Sequence, residues 1–577
     1  MHVELVGEGP AAAAITAALS DCEGATVETA EAGTLADADM GAVVGPAGDD
    51  RFEKVAAARW VAVEVGGVGG HPLSGVDAAV SVFDGDGPAD PRFSDLRGRV
   101  ASTVDVPAAA PDADPAAVRL AGAVAGRRAV ALAEGDSLGG TLVEVSGTTV
   151  GSVREFLPLP LPEGSTGGPG ADRDRRPPRD HREVPLEDAL GRMERTLDDR
   201  VGAVVEVGER ESFPLPYYIA ATADTTVYSD ARAAQFAAGV DPGWDAAFAK
   251  ALGEALERYS AGVYRTAAFT MAPARSRARP VTPDAFVRPD GWATPGPDDP
   301  LAWVEGVDLA TDEPVSLPAE LVHYPPPTEQ LRPAITTGLG LGNSGVEALL
   351  AGLYETIERD ATMLAWYSTY EPLALAVDDG DYRTLVGRAR AEGLSATALL
   401  VTQDVDVPVV AAAVHREGEW PRFAAGSAAD LDAAAAARSA LAEALQNWME
   451  LRAMGPEAAA AEEGAIGRYA DLPDAAREFL DAPATVPAGD VGPDEVPRGR
   501  AELDAVVDRV TDAGPAVYAS RLTPRDVDAL GFEAVRVLVP AAQPLFVGEP
   551  FFGDRARTVP GELGFEPRLD RDFHPFP

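Results

Sequence analysis

The sequence is poor in the residues that build several common kinds of site. It contains one cysteine, Cys22, in 577 residues, which excludes a disulfide framework and a zinc site made of thiolates. Its six histidines show no metal-ligand spacing, so we expect no tightly held transition metal. No apolar run approaches about 18 residues, and the N-terminus lacks a charged-then-apolar leader. These absences predict a soluble, cytoplasmic protein that does not contact a membrane.

Lysine is nearly absent too, since only Lys54 and Lys250 occur among 48 basic residues. Against them stand 93 acidic residues, which give a formal net charge of -45. A nucleic-acid binder needs a clustered basic face, and only the short, interrupted run at 173–182 offers one, so we expect no nucleic-acid partner. Acidic excess with little lysine is typical of proteins in molar salt, where carboxylates hold water and ions. We therefore predict a halophilic cytoplasm.

The hydrophobic pattern divides the chain into two parts. Residues 1–163 alternate short apolar runs with alanine-rich helical stretches, which predicts an α/β domain around a largely parallel sheet. Residues 164–183 are rich in glycine, proline and charge without apolar periodicity, which predicts a flexible linker. A second α/β unit, with α+β character, is expected from 184 to 577. A length of this size is typical of more than one domain.

The turn after the first apolar run, "GEGPAA", carries Gly7, Gly9 and Ala12 at the offsets of a dinucleotide-binding loop. Pro10 has no N–H to offer a phosphate, and no acidic residue is clearly placed at a strand end about 20 positions on. A plain tight turn is therefore the favoured interpretation.

The stretch "GLGLGNSGVEALLAGLYETIERDA" at 338–361 places glutamates on one face of a predicted helix. At 3.6 residues per turn, positions 343, 347, 355 and 358 fall within an arc of roughly 120°, and the apolar residues fall on another face. Glu254 and Glu257 in "GEALERY" likewise share a face, so Glu-x-x-Glu-Arg occurs twice. Two such helices could hold Mg²⁺, which usually bridges carboxylates to substrate phosphates.

The residues around these glutamates fit phosphate binding and also fit an ordinary helix start. Glycines at 338, 340 and 342 allow close approach of a ligand, and Arg258 and Arg359 could clamp phosphate oxygens. "SGVE" is also a capping-box pattern, in which Ser344 and Glu347 close the helix start. Because any glutamate of this acidic chain could be solvated surface, both interpretations stay open. The residues alone predict a possible Mg²⁺-nucleotide site without a Walker A motif.

The same segments resemble the YcaO family, ATP-dependent enzymes that activate backbone amides in peptides. The resemblance covers roughly 185–577 and rests on "ALGEALERYS", the stretch at 338–361 and "ARSALAEALQNWMELR", in that order. It implies ATP and Mg²⁺ as cofactors. It also implies roles for particular residues: metal binding by Glu254, Glu257, Glu355 and Glu358, and ATP binding by Asn343, Glu347, Arg359 and Arg438.

Two positions depart from the family pattern, and the chain's end follows it in part. Lys250 stands where the family often has serine, and no clear Gly-Lys-Gly precedes the first helix. The last residues, "RDFHPFP", resemble the proline-rich C-terminus of azoline-forming members, whose tail reaches the active site, so Pro577 joins Arg359 as a catalytic candidate. An extended, solvated tail is the alternative.

The first part of the chain is similar to the ubiquitin-activating-enzyme-like domain that accompanies these enzymes and binds a leader peptide. "RFSDLRGRV" and "VREFLPLPLPEG" carry this resemblance. Relatives commonly have Cys-x-x-Cys near both segments, whereas here Arg92 and Asp95 replace the first pair, so the zinc is predicted to be lost. The implied architecture is a Rossmann-like domain followed by a YcaO-type catalytic domain.

The family chemistry implies phosphorylation of a peptide amide oxygen by ATP and loss of that oxygen with phosphate. A neighbouring Cys, Ser or Thr side chain would give an azoline, which is our first expectation. A thioamide formed with a sulfur-delivery protein is an alternative, as is a partner that binds nucleotide or peptide without catalysis. We expect a precursor peptide or protein as substrate and a homodimer as the assembly.

Overall fold

The structure is a computed structural model of the chain. None of its described helices combines the length and the apolar character that a membrane span needs. The residues that it describes are 2–22, 24–31, 35, 38–85, 87, 89–104, 112–161, 174–461 and 465–576.

The apolar runs of the N-terminal part become the strands of one eight-stranded sheet, flanked by three helices. In chain order the elements are β1 (His2–Val6), α1 (Pro10–Ser20), β2 (Thr26–Thr29), β3 (Met40–Pro46), β4 (Arg59–Val65), β5 (Gly67–Val68), β6 (His71–Pro72), β7 (Ala78–Asp84), α2 (Phe93–Thr103), α3 (Pro115–Glu134), β8 (Thr141–Ser146), β9 (Thr149–Val150) and β10 (Arg154–Glu155).

This sheet is parallel in one half and antiparallel in the other. Its order is β10-β8-β7-β4-β3-β1-β2, with β9 paired to β8 and β5 paired to β6 in a separate hairpin. The pairs of β1 with β2 and β3, and of β3 with β4, are parallel. Those of β4 with β7, β7 with β8, and β8 with β10 are antiparallel. The prediction of a largely parallel sheet was therefore wrong for one half, because no helix separates β4 from β7 to return the chain for a parallel pair.

The turn between β1 and α1 is tight, and strand β3 packs closely against one side of it. Gly7 has a φ of 109°, and a Cβ at this position would lie 2.2 Å from the carbonyl oxygen of Val44 on β3. Only glycine fits there. The glycine that resembled part of a dinucleotide loop is thus explained by close packing.

The C-terminal part contains the remaining helices and strands, and the strands that the structure describes there form three further sheets. In chain order they are α4 (Leu186–Glu194), β11 (Val204–Glu211), β12 (Tyr217–Thr222), β13 (Phe236–Val240), α5 (Trp244–Gly262), β14 (Thr270–Pro273), β15 (Pro300–Asp308), β16 (Pro314–Pro318), α6 (Ala319–Val322), β17 (Leu339–Gly342), α7 (Gly345–Trp366), β18 (Leu373–Ala376), α8 (Gly380–Ala391), β19 (Ser395–Leu400), β20 (Val409–His415), β21 (Phe423–Ala429), α9 (Ala433–Met454), α10 (Pro456–Ala461), α11 (Ala465–Tyr469), α12 (Asp474–Leu480), β22 (Thr485–Pro487), α13 (Arg500–Asp512), β23 (Tyr518–Arg521), α14 (Arg525–Ala529), β24 (Glu533–Leu538) and α15 (Asp554–Glu562).

Helix α7 packs against strands of two sheets. It contacts β17 and β24 of the sheet β14-β15-β23-β24-β17 and contacts β20 and β21 of the sheet β21-β20-β19-β18-β22. The apolar face predicted for this helix is confirmed as buried: Val346, Leu349, Leu350, Leu353 and Ile357. Helix α5 packs on the sheet β11-β12-β13, and α9 packs on β20 and β21.

A buried polar network joins the N-terminal part to α5. Arg99 of α2 forms an ion pair with Asp526 of α14, and both side chains are at most 1% exposed. The hydroxyl of Tyr259 on α5 donates a hydrogen bond to the same Asp526 carboxylate (2.7 Å). A buried ion pair of this kind fixes its partners firmly, since separating them would leave an uncompensated charge.

The segment predicted as a linker, 164–183, lies partly outside the described residues. Its last part, 174–183, has no regular structure but makes specific contacts with the C-terminal part. Arg179 donates to the carbonyl of Leu309 (2.7 Å), and the carbonyl of Asp180 accepts from the backbone N–H of Val346 at the start of α7 (3.1 Å). These contacts hold residues 174–183 along the start of α7.

Candidate active site

Helix α7 presents Glu355 and Glu358 on the side opposite its buried apolar face. Ser344 caps the helix start by accepting from the N–H of Glu347 (3.4 Å). The Glu355 carboxylate accepts from the N–H of Gly338 (3.0 Å), and that of Glu358 accepts from the hydroxyl of Ser427 on β21 (2.7 Å). Backbone and hydroxyl donors from two sheets therefore orient both carboxylates.

Helix α5 presents Glu254 and Glu257 toward the same place. Its other face, including Leu252, Leu256 and Tyr259, is fully buried. The Glu254 carboxylate accepts from the N–H of Ala238 on the neighbouring strand β13 (3.2 Å). The four glutamates predicted to bind metal thus come from two helices, and the charge of Glu355 on α7 acts on both Glu254 and Glu257 on α5.

Sequence reasoning missed a fifth carboxylate, Glu443 of α9. It accepts from the N–H of Ser427 (2.7 Å), whose hydroxyl serves Glu358, so one serine orients glutamates of two helices. The signal was present in "ARSALAEALQNWMELR", where Arg438 had been singled out and Glu443 had not.

The five carboxylates interact electrostatically, with Glu355 at their centre. Burial raises the pKa of Glu257 to about 8 and raises the pKa of Glu254, Glu358 and Glu443. The charge of Glu355 adds to the shift in all four. Without a cation the cluster therefore resists full ionisation, and a divalent cation would reverse this effect.

Two arginines contact the cluster. Arg359 lies 3.5 Å from Glu358 and 4.0 Å from Glu443, whereas Arg258 donates to Glu254 (2.8 Å). The Nε of Arg258 is buried and has no hydrogen-bond partner among the described residues. Five carboxylates with two guanidinium groups leave an excess of negative charge.

This arrangement fits Mg²⁺ bound together with phosphates. In the described part of the chain, no three His, Cys, Asp or Glu side chains are placed to hold a metal ion by themselves. Mg²⁺ in nucleotide sites takes one or two carboxylates and completes its octahedron with phosphate oxygens and water. A cavity of about 310 Å³ lies between β13, α5 and α9, with Glu254 and Glu443 in its wall. Carboxylates at a cavity of this size fit the group.

Glu347 lies at a different place, about 12 Å along α7 from Glu355 at the helical rise per residue, and Asn343 precedes the helix. The Glu347 carboxylate accepts from the N–H of Asn343 (2.9 Å), and both residues line a second cavity of about 920 Å³. Ser344 does cap the helix, while Glu347 bonds to Asn343 in place of Ser344. The predicted stripe is thus divided, because Asn343 and Glu347 line this second cavity and Glu355 and Glu358 line neither cavity.

Arg438 and Lys250 are engaged elsewhere. The Arg438 guanidinium pairs with Asp379, the N-cap of α8 (3.1 Å). Lys250 pairs with Asp241 (2.8 Å) and lines the cavity beside Glu254.

The C-terminal tail is buried beside the cluster. Pro577 lies outside the described residues, but His574 and Phe576 are fully buried, and His574 Nε2 lies 2.7 Å from the carbonyl oxygen of Phe546. Burial and the nearby charge of Arg359 lower the pKa of His574 to about 4. The alternative of a solvated tail was therefore wrong for residues 574–576.

The positions of the replaced cysteines carry a different network. Asp95 accepts from the N–H groups of Arg92 (2.7 Å) and Leu159 (2.8 Å), and it pairs with Arg525 of α14 (3.3 Å). These bonds hold α2 against the 156–161 segment and against the C-terminal part.

Comparisons with known proteins identify the class of this protein, an ATP- and Mg²⁺-dependent enzyme, and its family. The family model described as YcaO cyclodehydratase, ATP- and Mg²⁺-binding, matches residues 239–543. The chain belongs to the YcaO family.

The chain is also similar to one further protein in sequence and to two solved structures in fold. An uncharacterized protein of Methanothermobacter thermautotrophicus is 30% identical over 330 residues, which are 54% of this chain and 82% of that protein. A heterocyclase in complex with substrate and cofactor matches 98% of this chain and 83% of its own at 18% identity, with a TM-score of 0.72. The heterocyclase TruD matches 98% of this chain and 82% of its own at 17% identity, with a TM-score of 0.64. These structures share the fold along nearly the whole chain.

Proposed function

We propose that this enzyme phosphorylates the oxygen of a peptide backbone amide and so converts Cys, Ser or Thr residues into azoline heterocycles during peptide maturation. The observation that carries the proposal is the convergence of glutamates from α5, α7 and α9 beside Arg359. The resemblance of the whole fold to heterocyclases supports the choice of a peptide substrate.

In this proposal one set of glutamates binds the metal, and another part of the site binds the nucleoside. Glu254, Glu257, Glu355 and Glu358 would hold Mg²⁺, and Glu443 would join them. Asn343 and Glu347, at the larger cavity, would hold the nucleoside. Arg438 would have to leave Asp379 to reach the phosphates.

The chain's own contribution is positioning and charge neutralisation. ATP bound with Mg²⁺ supplies the phosphoryl group that is transferred to the amide oxygen and then leaves with it as inorganic phosphate. Arg359 already lies against two carboxylates and offers a fixed guanidinium to the charge that develops on the transferred group. No side chain has to act as a covalent nucleophile, because the attacking group belongs to the peptide.

The two parts of the chain receive different tasks. We assign leader-peptide binding to residues 1–163, a connecting role to 164–183 and catalysis to 184–577, in an enzyme acting as a homodimer. The network of Arg99, Asp526 and Tyr259 supports a firm docking of the first part on α5. The buried position of His574 near Arg359 supports a catalytic role for the tail that ends at Pro577.

The test is a calorimetric titration of Mg²⁺-ATP in multi-molar KCl, a medium chosen because of the net charge of -45. Wild type is compared with the Glu355→Gln, Glu358→Gln double variant and with a control, Glu187→Gln, Glu194→Gln, which removes two exposed charges on α4. We expect metal-dependent binding by wild type and control only. Equal binding by all three proteins would show that the glutamates do not form the site.

The product distinguishes the two outcomes of amide activation. Loss of the mass of one water from a processed peptide indicates an azoline. A gain equal to the difference between sulfur and oxygen indicates a thioamide and a sulfur-delivery partner, which would contradict the azoline proposal while leaving ATP-dependent amide activation in place.

A further inference from the structure

Two arginines are buried behind α7 without an acidic partner. Arg332, in the segment that leads into β17, is 8% exposed, and Arg536 of β24 is 2% exposed. Neither forms an ion pair with any residue in the described ranges. A buried charge is costly unless it is paired, so their positions need an explanation.

Arg332 is the less satisfied of the two. Its guanidinium donates no hydrogen bond to another described residue and lies 5.8 Å from the ring centre of Phe286. The nearby carboxylate of Glu320 is occupied by other donors, since it accepts from the hydroxyl of Thr328 (2.7 Å) and the N–H of Gln330 (2.8 Å). Burial lowers the pKa of Arg332 to about 10, although Glu320 opposes this shift.

Arg536 is bonded only to neutral groups. Its terminal nitrogens donate to the carbonyls of Thr336 (2.9 Å) and Ile335 (3.0 Å), and its Nε is buried without a hydrogen-bond partner in the described part of the chain. Burial and the neighbouring charge of Arg332 lower the pKa of Arg536 to about 9. The charges of Glu355 and Glu257 oppose this shift, although neither carboxylate forms an ion pair with Arg536 in the described part of the chain.

A small cavity opens beside these groups. Its volume is about 30 Å³, and its wall includes Arg332, Arg359, Thr337 and Thr356. None of the described residues that line it carries a carboxylate. The space admits about two water molecules, or one small oxyanion in their place, and is too small for a nucleotide.

We propose that this cavity is an oxyanion site, with Arg332 and Arg359 as its ligands and Arg536 behind them, and that it takes inorganic phosphate. This inference rests on the proposed function, because that reaction releases phosphate next to Arg359. The planar guanidinium groups match tetrahedral oxyanions in geometry and in charge. Phosphate would move past Arg359, away from the carboxylates that hold the metal, and so separate from ADP.

The experiment titrates inorganic phosphate into the full-length protein saturated with Mg²⁺-ADP in KCl. Wild type is compared with Arg332→Met and with a control, Arg288→Met, which removes a surface guanidinium bonded to the carbonyl of Ala293. We expect Arg332→Met to weaken phosphate binding by about tenfold or more, the effect of losing charged hydrogen bonds. Affinity for Mg²⁺-ADP should change by less than about threefold on the same scale, and the control should match wild type.

Equal phosphate affinity in wild type and Arg332→Met would overturn the site, as would a wild type that binds no phosphate. Should Arg332→Met fail to fold, Arg332→Lys keeps the charge without the planar fork, and it should bind phosphate more weakly than wild type. The same titration without nucleotide separates this proposal from the previous one. Arg332-dependent phosphate binding in a protein that ignores Mg²⁺-ATP would support the anion site and reject the proposed function.

Discussion

The two Glu-x-x-Glu-Arg helices carry the same motif and connect it to different neighbours. On α5, Arg258 bonds to Glu254 one turn earlier on its own helix (2.8 Å). On α7, Arg359 lies against Glu358 and against Glu443 of α9. The motif is thus a local pair on one helix and a contact between helices on the other. Both helices pack against strands of two sheets, and the difference is that Arg359 also reaches Glu443 of α9.

The residue after each motif extends this difference. Tyr259 follows Arg258 and bonds to Asp526, which pairs with Arg99 of the N-terminal part. Asp360 follows Arg359 and pairs with Arg555 of α15 (2.6 Å). One carboxylate helix is therefore anchored to the first part of the chain, and the other is anchored to its end.

Replacing the arginine of each motif should show the difference between the two helices most clearly. We expect Arg359→Met to lower kcat/KM for Mg²⁺-ATP by about 10³-fold, the scale of losing a preorganised charge at the transferred group. Arg258→Met should cost only about tenfold, since its partner is on the same helix. Steady-state kinetics of ATP turnover would measure both losses. Equal losses would mean that the different contacts of the two arginines do not affect activity.

Breaking the two anchors should destabilise different regions. Asp526→Asn leaves the buried Arg99 without its counter-charge, so we expect it to lower the free energy of unfolding by about 3 kcal/mol. Asp360→Asn leaves Arg555 paired with Asp404, so we expect a smaller loss of about 1.5 kcal/mol. Hydrogen exchange should increase in α2 for Asp526→Asn and in α15 for Asp360→Asn. Denaturant titration followed by exchange measurements checks both, and loss of protection in the same region for both variants would contradict the separate anchoring.

A variant of Glu443 tests whether helix α9 contributes to the site. We expect Glu443→Gln to weaken Mg²⁺-ATP binding by about 10²-fold, which corresponds to about 2.7 kcal/mol. The control is Glu450→Gln two turns later on α9, where the carboxylate accepts from the hydroxyl of Tyr217 (2.9 Å). Calorimetry should show the control within about threefold of wild type; the reverse order would exclude Glu443 as a ligand.

The smallest effect is expected at the serine that joins α7 to β21. Ser427→Ala removes the hydroxyl that donates to Glu358 and keeps the N–H that donates to Glu443. One such hydrogen bond contributes about 1 kcal/mol, so affinity for Mg²⁺-ATP should fall about fivefold. Ser260→Ala on α5 removes a hydroxyl bonded only to its own helix at Leu256 and should leave the affinity unchanged in the same titration.

Much of the local architecture could be predicted from the sequence. Helical periodicity identified the apolar face of α7, and Ser344 was recognised as a residue that can close its start. The sheet's antiparallel half could not be predicted, because strand direction depends on how short connections return the chain. Glu443 was not predicted for a similar reason. Its position in the cluster depends on a hydrogen bond from Ser427, which belongs to no local sequence motif.

The sequence by itself determined which residues share a helix face, where α7 starts and how much negative charge the chain carries, because these follow from the 3.6-residue period and from composition. Only the tertiary structure decided that α5, α7 and α9 meet, that Asn343 and Glu347 line a separate cavity, and that Arg332 and Arg536 are buried without acids. The physical reason is that helix faces are set by local backbone geometry, whereas partners far apart in the sequence are brought together by packing.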